Sequence, residues 1–226
     1  MKAEAARARL RGLYAVTPAV ADTARLVSLC AACLAGGAAI LQYRAKEAAP
    51  GLALVQAREL SALCREHGAL FIVNDSIALA AASQADGVHL GRDDEAPRAA
   101  RIVLPNALIG VSCYDQAERG RDAAAAGADY VAVGSVFASP TKPGAVRAPL
   151  GVIASARRIS GLPVAAIGGI TLENAPAVVA AGADMIAVIS ALFEAPDPRE
   201  AAARFAALYA SPRHGERDVS TQPGAV

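Results

Sequence analysis

Short apolar runs alternate with longer amphipathic stretches along this chain. The runs cover 13–16, 39–43, 70–73, 87–90, 108–111, 130–133, 163–167 and 185–189. Each has four or five residues, mostly β-branched or otherwise apolar, which marks strands buried on both faces. Between them lie Ala-rich stretches with helical periodicity at 21–35, 51–66, 95–101, 115–126, 171–180 and 198–208. Successive strands start about 25 residues apart, the length of one βα unit. Eight such units predict an α/β fold, a single (β/α)8 TIM barrel with a parallel sheet. A doubly wound open sheet is the alternative. It would need a Gly-rich phosphate turn after the first strand, and Thr17-Pro18 stand there instead.

Weak repetition agrees with a barrel. Ala-Gly-Ala-Asp occurs at 126–129 and 181–184, and Gln-Ala-Asp-Gly at 84–87. Each reads as the end of a helix leading into a strand, with the cap chemistry of a tight connection. The barrel domain is expected over 12–210. Residues 1–11 form an N-terminal extension, and the polar, turn-rich 211–226 is expected to be a mobile tail.

Composition narrows the class. Of 226 residues, 54% are apolar, but 58 of the total are Ala and only 4% are aromatic. The core is therefore predicted to rest on many small contacts. A fold of this length needs no disulfide or metal staple. With 19% charged residues the chain is not of disordered type. No apolar run reaches membrane-spanning length, and the charged N-terminus lacks a signal core. A net charge of +1 leaves no broad basic field for nucleic acid. Cys30 and Cys33 lie within a helical stretch, so the four cysteines read as buried free thiols of a reducing, cytoplasmic compartment. The oligomeric state is not legible.

Chemistry in such barrels gathers at the C-terminal strand ends. There the chain places Gln42, Arg44 and Lys46 on one side of strand two; Asn74-Asp75 after strand three; and Asp94 after strand four. Ser112 follows strand five, Ser139-Pro140-Thr141-Lys142 strand six, Gly168-Gly169 strand seven, and Ile189-Ser190 strand eight. Cations, hydroxyls and a Gly-Gly turn describe a phosphate site. Because the cations lie away from strands seven and eight, two separate phosphate-bearing groups are expected. Asp75 and Asp94 on neighbouring strands suit Mg2+. Plainer roles are open for some of these residues. Gly168-Gly169 could be only a tight turn, Asn74-Asp75 a helix cap, and the 139–144 segment an exposed turn. Asp93 is assigned as the cap of the helix at 95–101. His89, within strand four, reads as a hydrogen-bonded core histidine, and His67 as solvent-facing. Three long polar side chains leaving a buried strand on one side point to a ligand.

Seven segments in order carry a resemblance: 41–47 (Leu-Gln-Tyr-Arg-Ala-Lys-Glu), 72–75 (Ile-Val-Asn-Asp), 87–94 (Gly-Val-His-Leu-Gly-Arg-Asp-Asp), 109–112 (Ile-Gly-Val-Ser), 137–142 (Phe-Ala-Ser-Pro-Thr-Lys), 166–170 (Ala-Ile-Gly-Gly-Ile) and 188–190 (Val-Ile-Ser). Over about 12–208 the chain resembles the thiamine phosphate synthases, which join the pyrimidine and thiazole halves of thiamine. The resemblance implies that Gln42, Tyr43, Arg44, Ala45, Lys46, Asn74, Ser112 and Lys142 hold hydroxymethylpyrimidine diphosphate. It implies that Ser139, Pro140, Thr141, Gly169, Ile189 and Ser190 hold thiazole phosphate, and that Asp75 and Asp94 bind Mg2+. Arg44 and Lys142 are the implied catalytic cations. Ala138 stands where the family usually has Pro, and Ser139 where it often has Thr. The implied reaction expels diphosphate from the pyrimidine methylene, and the thiazole nitrogen then attacks. Two other readings stay open: a thiazole tautomerase of similar fold, and a non-catalytic phosphate-binding barrel. The metal and leaving-group residues together favour the synthase.

Overall fold

The structure is a computed structural model and describes residues 2–138, 144 and 146–210. Eight strands, β1 (Gly12–Val16), β2 (Ile40–Tyr43), β3 (Leu70–Asn74), β4 (Gly87–Leu90), β5 (Leu108–Tyr114), β6 (Tyr130–Val133), β7 (Val164–Ile167) and β8 (Met185–Val188), close in sequence order into one barrel. Every neighbouring pair, including β1 with β8, is parallel. An open sheet is thereby excluded. Each expected strand is present, with ends moved by a residue or two. The exception is β5, which continues to Tyr114 through an irregularity after Ser112.

Ten helices surround the sheet among the described residues: α1 (Lys2–Arg7), α2 (Thr23–Ala35), α3 (Pro50–Glu66), α4 (Ile77–Ala82), α5 (Pro97–Val103), α6 (Arg119–Ala125), α7 (Gly151–Ser160), α8 (Ala175–Ala180), α9 (Ser190–Phe193) and α10 (Pro198–Ala207). Asp22, Ser76 and Asp197 cap α2, α4 and α10 with side-chain oxygens. The expected cap at Asp93 is not found. Helix α5 starts at Pro97 behind Ala96, with no side-chain cap; Pro lacks the N–H and presets the first helical φ. Helix α8 starts four residues later than expected. Asn174 accepts from Thr171 N at 2.9 Å and donates to Gly169 O at 2.9 Å, which holds 171–174 as a loop.

Alternation along each strand divides the core in two. Leu13, Leu41, Phe71, Val88, Ile109, Val131, Val164 and Ile186 face the helices. Tyr14, Ile40, Leu70, Ile72, Leu108, Tyr130, Ala165 and Met185 fill the barrel. Alanines at the helix–sheet contacts, among them Ala57, Ala100, Ala156 and Ala202, are fully buried. At Gly36, after α2, an added Cβ would stand 2.3 Å from Arg199 O of α10, so these elements are in direct backbone contact. The four cysteines are free and buried, as expected.

The repeated aspartates tie strands together at the N-terminal end. Asp86 N donates to Phe71 O, and its carboxylate accepts from Phe71 N at 2.8 Å. Asp129 makes the same reciprocal pair with Ile109 (2.7 and 2.8 Å), and Asp184 with Val164 (2.9 and 2.9 Å). Arg7 and Arg101 also bind the Asp129 carboxylate, and Arg157 that of Asp184. Before β2 the equivalent residue is Ala39, which keeps only the backbone bond, to Leu13 O. These bonds hold the end of the barrel opposite the candidate site.

Candidate active site

Beyond the last residue of β2 the chain leaves the sheet as Arg44-Ala45-Lys46. Arg44 N donates to the buried Thr17 Oγ1 at 2.9 Å, which fixes the exit of this loop. The Lys46 ammonium reaches Asp75 Oδ2 at 2.9 Å, with Lys46 half exposed. Asp75 follows β3 with φ +63, a left-handed conformation that Asp tolerates better than most residues. Its N–H donates to His89 O on β4 at 2.8 Å, so the turn is pinned. The cap of α4 is Ser76, which leaves Asn74 and Asp75 unused as caps.

Asp94 comes from the loop after β4. Its Oδ2 accepts from Gly91 N at 2.6 Å. Burial raises the Asp94 pKa, the Gly91 N–H opposes that, and the adjoining Asp75 carboxyl, within hydrogen-bonding reach, raises it further; Lys46 lowers it. Two carboxylates from neighbouring strands therefore share one small volume with one ammonium. Hard oxygen donors at this density suit a divalent cation that keeps most of its waters, and two carboxylates are a usual protein share for Mg2+. Among the described residues no group of three or more His, Cys, Asp or Glu could hold a metal.

Below the mouth runs a line of polar side chains across the barrel. Gln42 Nε2 donates to Tyr14 OH at 2.7 Å, and Tyr14 OH meets Tyr130 OH at 2.8 Å. Tyr130 OH meets His89 Nδ1 at 3.0 Å, and His89 Nε2 meets Ser112 Oγ at 2.9 Å. Gly110 makes the space: a Cβ there would stand 2.1 Å from the Tyr130 ring. Burial pushes the His89 imidazole down to about 4, against the pull of Asp94, and raises both tyrosines. His89 is thus neutral and hydrogen-bonded in the core, as the sequence suggests. Tyr14 and Tyr130 were not among the expected site residues. Their signal is a single aromatic hydroxyl at an inward position of an otherwise aliphatic strand.

The other expected residues divide. Tyr43 points to the helix layer, where its hydroxyl donates to Gln56 Oε1 at 2.8 Å, so its side chain does not line the mouth. Ala45 is partly buried beside it. Gly168 and Gly169 have φ +109 and +59 and lie against the loop after β6. A Cβ on Gly168 would stand 2.0 Å from Ser135 Oγ, and one on Gly169 2.1 Å from Ala138 O. Phe137 N donates to Gly168 O at 3.0 Å, which joins the β6 and β7 loops. Ile189 and Ser190 open α9, half-buried. Ser139, Pro140, Thr141 and Lys142 lie outside the described residues, as does the tail at 211–226. No helix among the described residues is long and apolar enough to cross a membrane.

Comparison with known proteins is consistent across sequence and fold. A family model described as thiamine monophosphate synthase matches residues 13–192. A thiamine-phosphate synthase of Azoarcus sp. (strain BH72) is 58% identical over 203 residues, covering 89% of this chain and 98% of that relative. One from Aromatoleum aromaticum is 54% identical, covering 89% and 97%. A solved thiamine phosphate pyrophosphorylase from Pyrococcus furiosus superposes with a TM-score of 0.80 at 37% identity, over 90% of this chain and 97% of that one. A 3-hexulose-6-phosphate synthase, at 22% identity and a TM-score of 0.66 over 88% of this chain and all of that one (100%), shares the fold alone.

Proposed function

The chain belongs to the thiamine monophosphate synthase family, and from that membership we infer that it catalyses the synthase reaction at the mouth formed by β2, β3, β4 and β5. The substrates are hydroxymethylpyrimidine diphosphate and thiazole phosphate; the products are thiamine phosphate and diphosphate. The observation that carries this reading is the meeting of Lys46, Asp75 and Asp94 at three adjacent strand ends.

The reaction breaks the bond between the pyrimidine methylene and the diphosphate oxygen. Its electron pair leaves with the diphosphate, and a bond then forms from the thiazole nitrogen to the methylene. No protein nucleophile is required. What is required is stabilisation of the charge gathering on the leaving oxygens. Arg44 and Lys46, at the end of β2, are assigned to supply it, and Lys142 is assigned the same role by the family resemblance. Asp75 and Asp94 would hold Mg2+, which when bound adds positive charge beside the departing diphosphate. Lys46, half exposed, holds Asp75 through an ion pair beside the proposed diphosphate position. Gly169, Ile189 and Ser190, on the far side of the mouth, are assigned to the thiazole phosphate; that position is common in barrels of this kind. The buried free cysteines suit a reducing compartment, and we place the protein in the cytoplasm.

Purified protein mixed with both substrates and Mg2+ should release thiamine phosphate and diphosphate in equal amounts. Absence of both products would refute the assignment.

A further inference from the structure

The polar line through the barrel has a direction, and the direction follows from counting protons. Tyr14 is fully buried and, among the described residues, its hydroxyl meets two partners, Gln42 Nε2 and Tyr130 OH. Gln42 meets Tyr14 through Nε2, and that nitrogen can only donate. If Tyr130 also donated to Tyr14, the Tyr14 proton would face no acceptor in a dry interior, which is the costly case for a buried polar group. Tyr14 therefore donates to Tyr130. The Tyr130 proton then has one destination, His89 Nδ1 at 3.0 Å. A neutral imidazole that accepts at Nδ1 carries its proton at Nε2, and that N–H donates to Ser112 Oγ at 2.9 Å. The Ser112 hydroxyl proton is left unspent. Ser112 is half-buried and lies two residues beyond Gly110, the register partner of His89, towards the mouth.

Polarity matters because Ser112 has one proton. With the line reversed, Ser112 would donate to His89 and show only lone pairs to the mouth. A diphosphate is an acceptor there and would be repelled. With the line running from Gln42 to Ser112, Ser112 accepts from below and donates above. An apolar layer would fill the barrel as well as two tyrosines and a histidine do, so packing alone does not call for this sequence of groups.

We propose that Tyr14, Tyr130 and His89 are positioning residues that fix Ser112 as a hydrogen-bond donor to a phosphoryl oxygen of the diphosphate substrate. The proposal rests on the synthase reading for the identity of that substrate, but the polarity of the line does not. Gln42 anchors the far end as a donor through Nε2. None of these groups exchanges protons with the substrate; they set the orientation of one hydroxyl.

Two measurements test this separately from the overall reaction. The first is the nitrogen shift of His89 in 15N-labelled protein, identified by its loss in His89→Gln. A pyrrole-type Nε2 and a pyridine-type Nδ1 are expected in wild type, with that assignment lost or mixed in Tyr130→Phe. The opposite tautomer in wild type overturns the proposal, whatever the protein catalyses. The second is a double-mutant cycle with Tyr130→Phe and Ser112→Ala, read by kinetics and by calorimetric binding of inorganic diphosphate with Mg2+. Tyr130→Phe alone should weaken diphosphate binding, and kcat/KM for the pyrimidine substrate, about tenfold. The KM for thiazole phosphate should hold. In the Ser112→Ala background the same change should cost less than about twofold. Equal losses in both backgrounds would show that Tyr130 only packs. Tyr14→Phe serves as the second variant should Tyr130→Phe fold poorly, with the same expected loss of additivity. A wild-type protein that makes no thiamine phosphate but shows the cycle on diphosphate binding would sink the synthase reading and keep this one. A protein that does neither would sink both.

Discussion

Asp75 holds a left-handed backbone, an ion pair with Lys46 and a close approach to Asp94, all at one residue. Nothing in that combination favours the folded state strongly. An exposed ion pair contributes little, and two carboxylates side by side oppose each other. Asp75→Asn should therefore leave the melting temperature unchanged or raise it, because Asn also tolerates the left-handed region. Turnover should fall on the order of 10²-fold or more. Thermal melts and steady-state kinetics on one sample check both halves, and a fall in both would indicate a structural role. His89 gives a second residue-scale prediction. Its ordinary pKa is 6.5, and burial takes it to about 4 in the folded protein. Above about pH 6.5 both states are neutral, and the group does not alter stability. Below that the unfolded chain takes up a proton that the folded one refuses. Stability then falls by at most about 1.4 kcal/mol per pH unit until the folded imidazole titrates near its own value. Urea unfolding from pH 7 to 4 should show this loss, and His89→Gln should show a shallower one. At this scale the meeting of Lys46, Asp75 and Asp94 was legible, because cations and carboxylates at the ends of apolar strands have few other uses. Tyr14 and Tyr130 were not legible, since a lone tyrosine in a strand reads as packing until its neighbours across the barrel are known.

Between strands, the aspartates at 86, 129 and 184 work as reciprocal clamps. The Asp184 carboxylate is buried and joins Val164 N to Arg157. Asp184→Ala should orphan the buried Val164 N–H, while the partly exposed Arg157 turns to water, and cost about 1–3 kcal/mol. Urea unfolding would measure that, and a loss below about 0.5 kcal/mol would show the clamp to be idle. The repeat was visible in the sequence, but only as cap chemistry, because the partner strand is some twenty residues upstream. Short helices were harder to read. A six-residue α4 or a four-residue α9 does not complete enough turns to show a period. Helix α7 was missed for another reason. Its amphipathic pattern is present, with Ile153 and Ala156 buried and Val152 and Ile159 packed against the core, but it follows a Pro- and Gly-rich loop that reads as a turn.

Over the whole molecule, a chain with 58 alanines and 4% aromatics builds its layers by close approach rather than by bulk. The contact of Gly36 with α10 is an example between two helical segments. Gly36→Val would push a side chain into Arg199 O and the Ala202 methyl, at 2.3 and 2.6 Å from the Cβ alone. The expected cost is about 1–3 kcal/mol, read as a lower denaturant midpoint with unchanged substrate KM. The barrel itself was fully legible, since eight apolar runs separated by helical stretches admit few closed arrangements. The spatial contact of α2 with α10, from opposite ends of the barrel domain, was not. The clamps carry a further consequence. They pair β3 with β4, β5 with β6 and β7 with β8, whereas Ala39 leaves β1 and β2 without one. In effect the cylinder is three riveted quarters and one unriveted quarter. Spontaneous breathing should start at that seam, so amides of β1 and β2 should exchange with deuterium sooner than those of β5 and β6. Uniform protection around the ring would contradict this. A circularly permuted gene opened between β2 and β3 would keep every riveted pair in one piece, and one opened between β5 and β6 would split a rivet across its new ends.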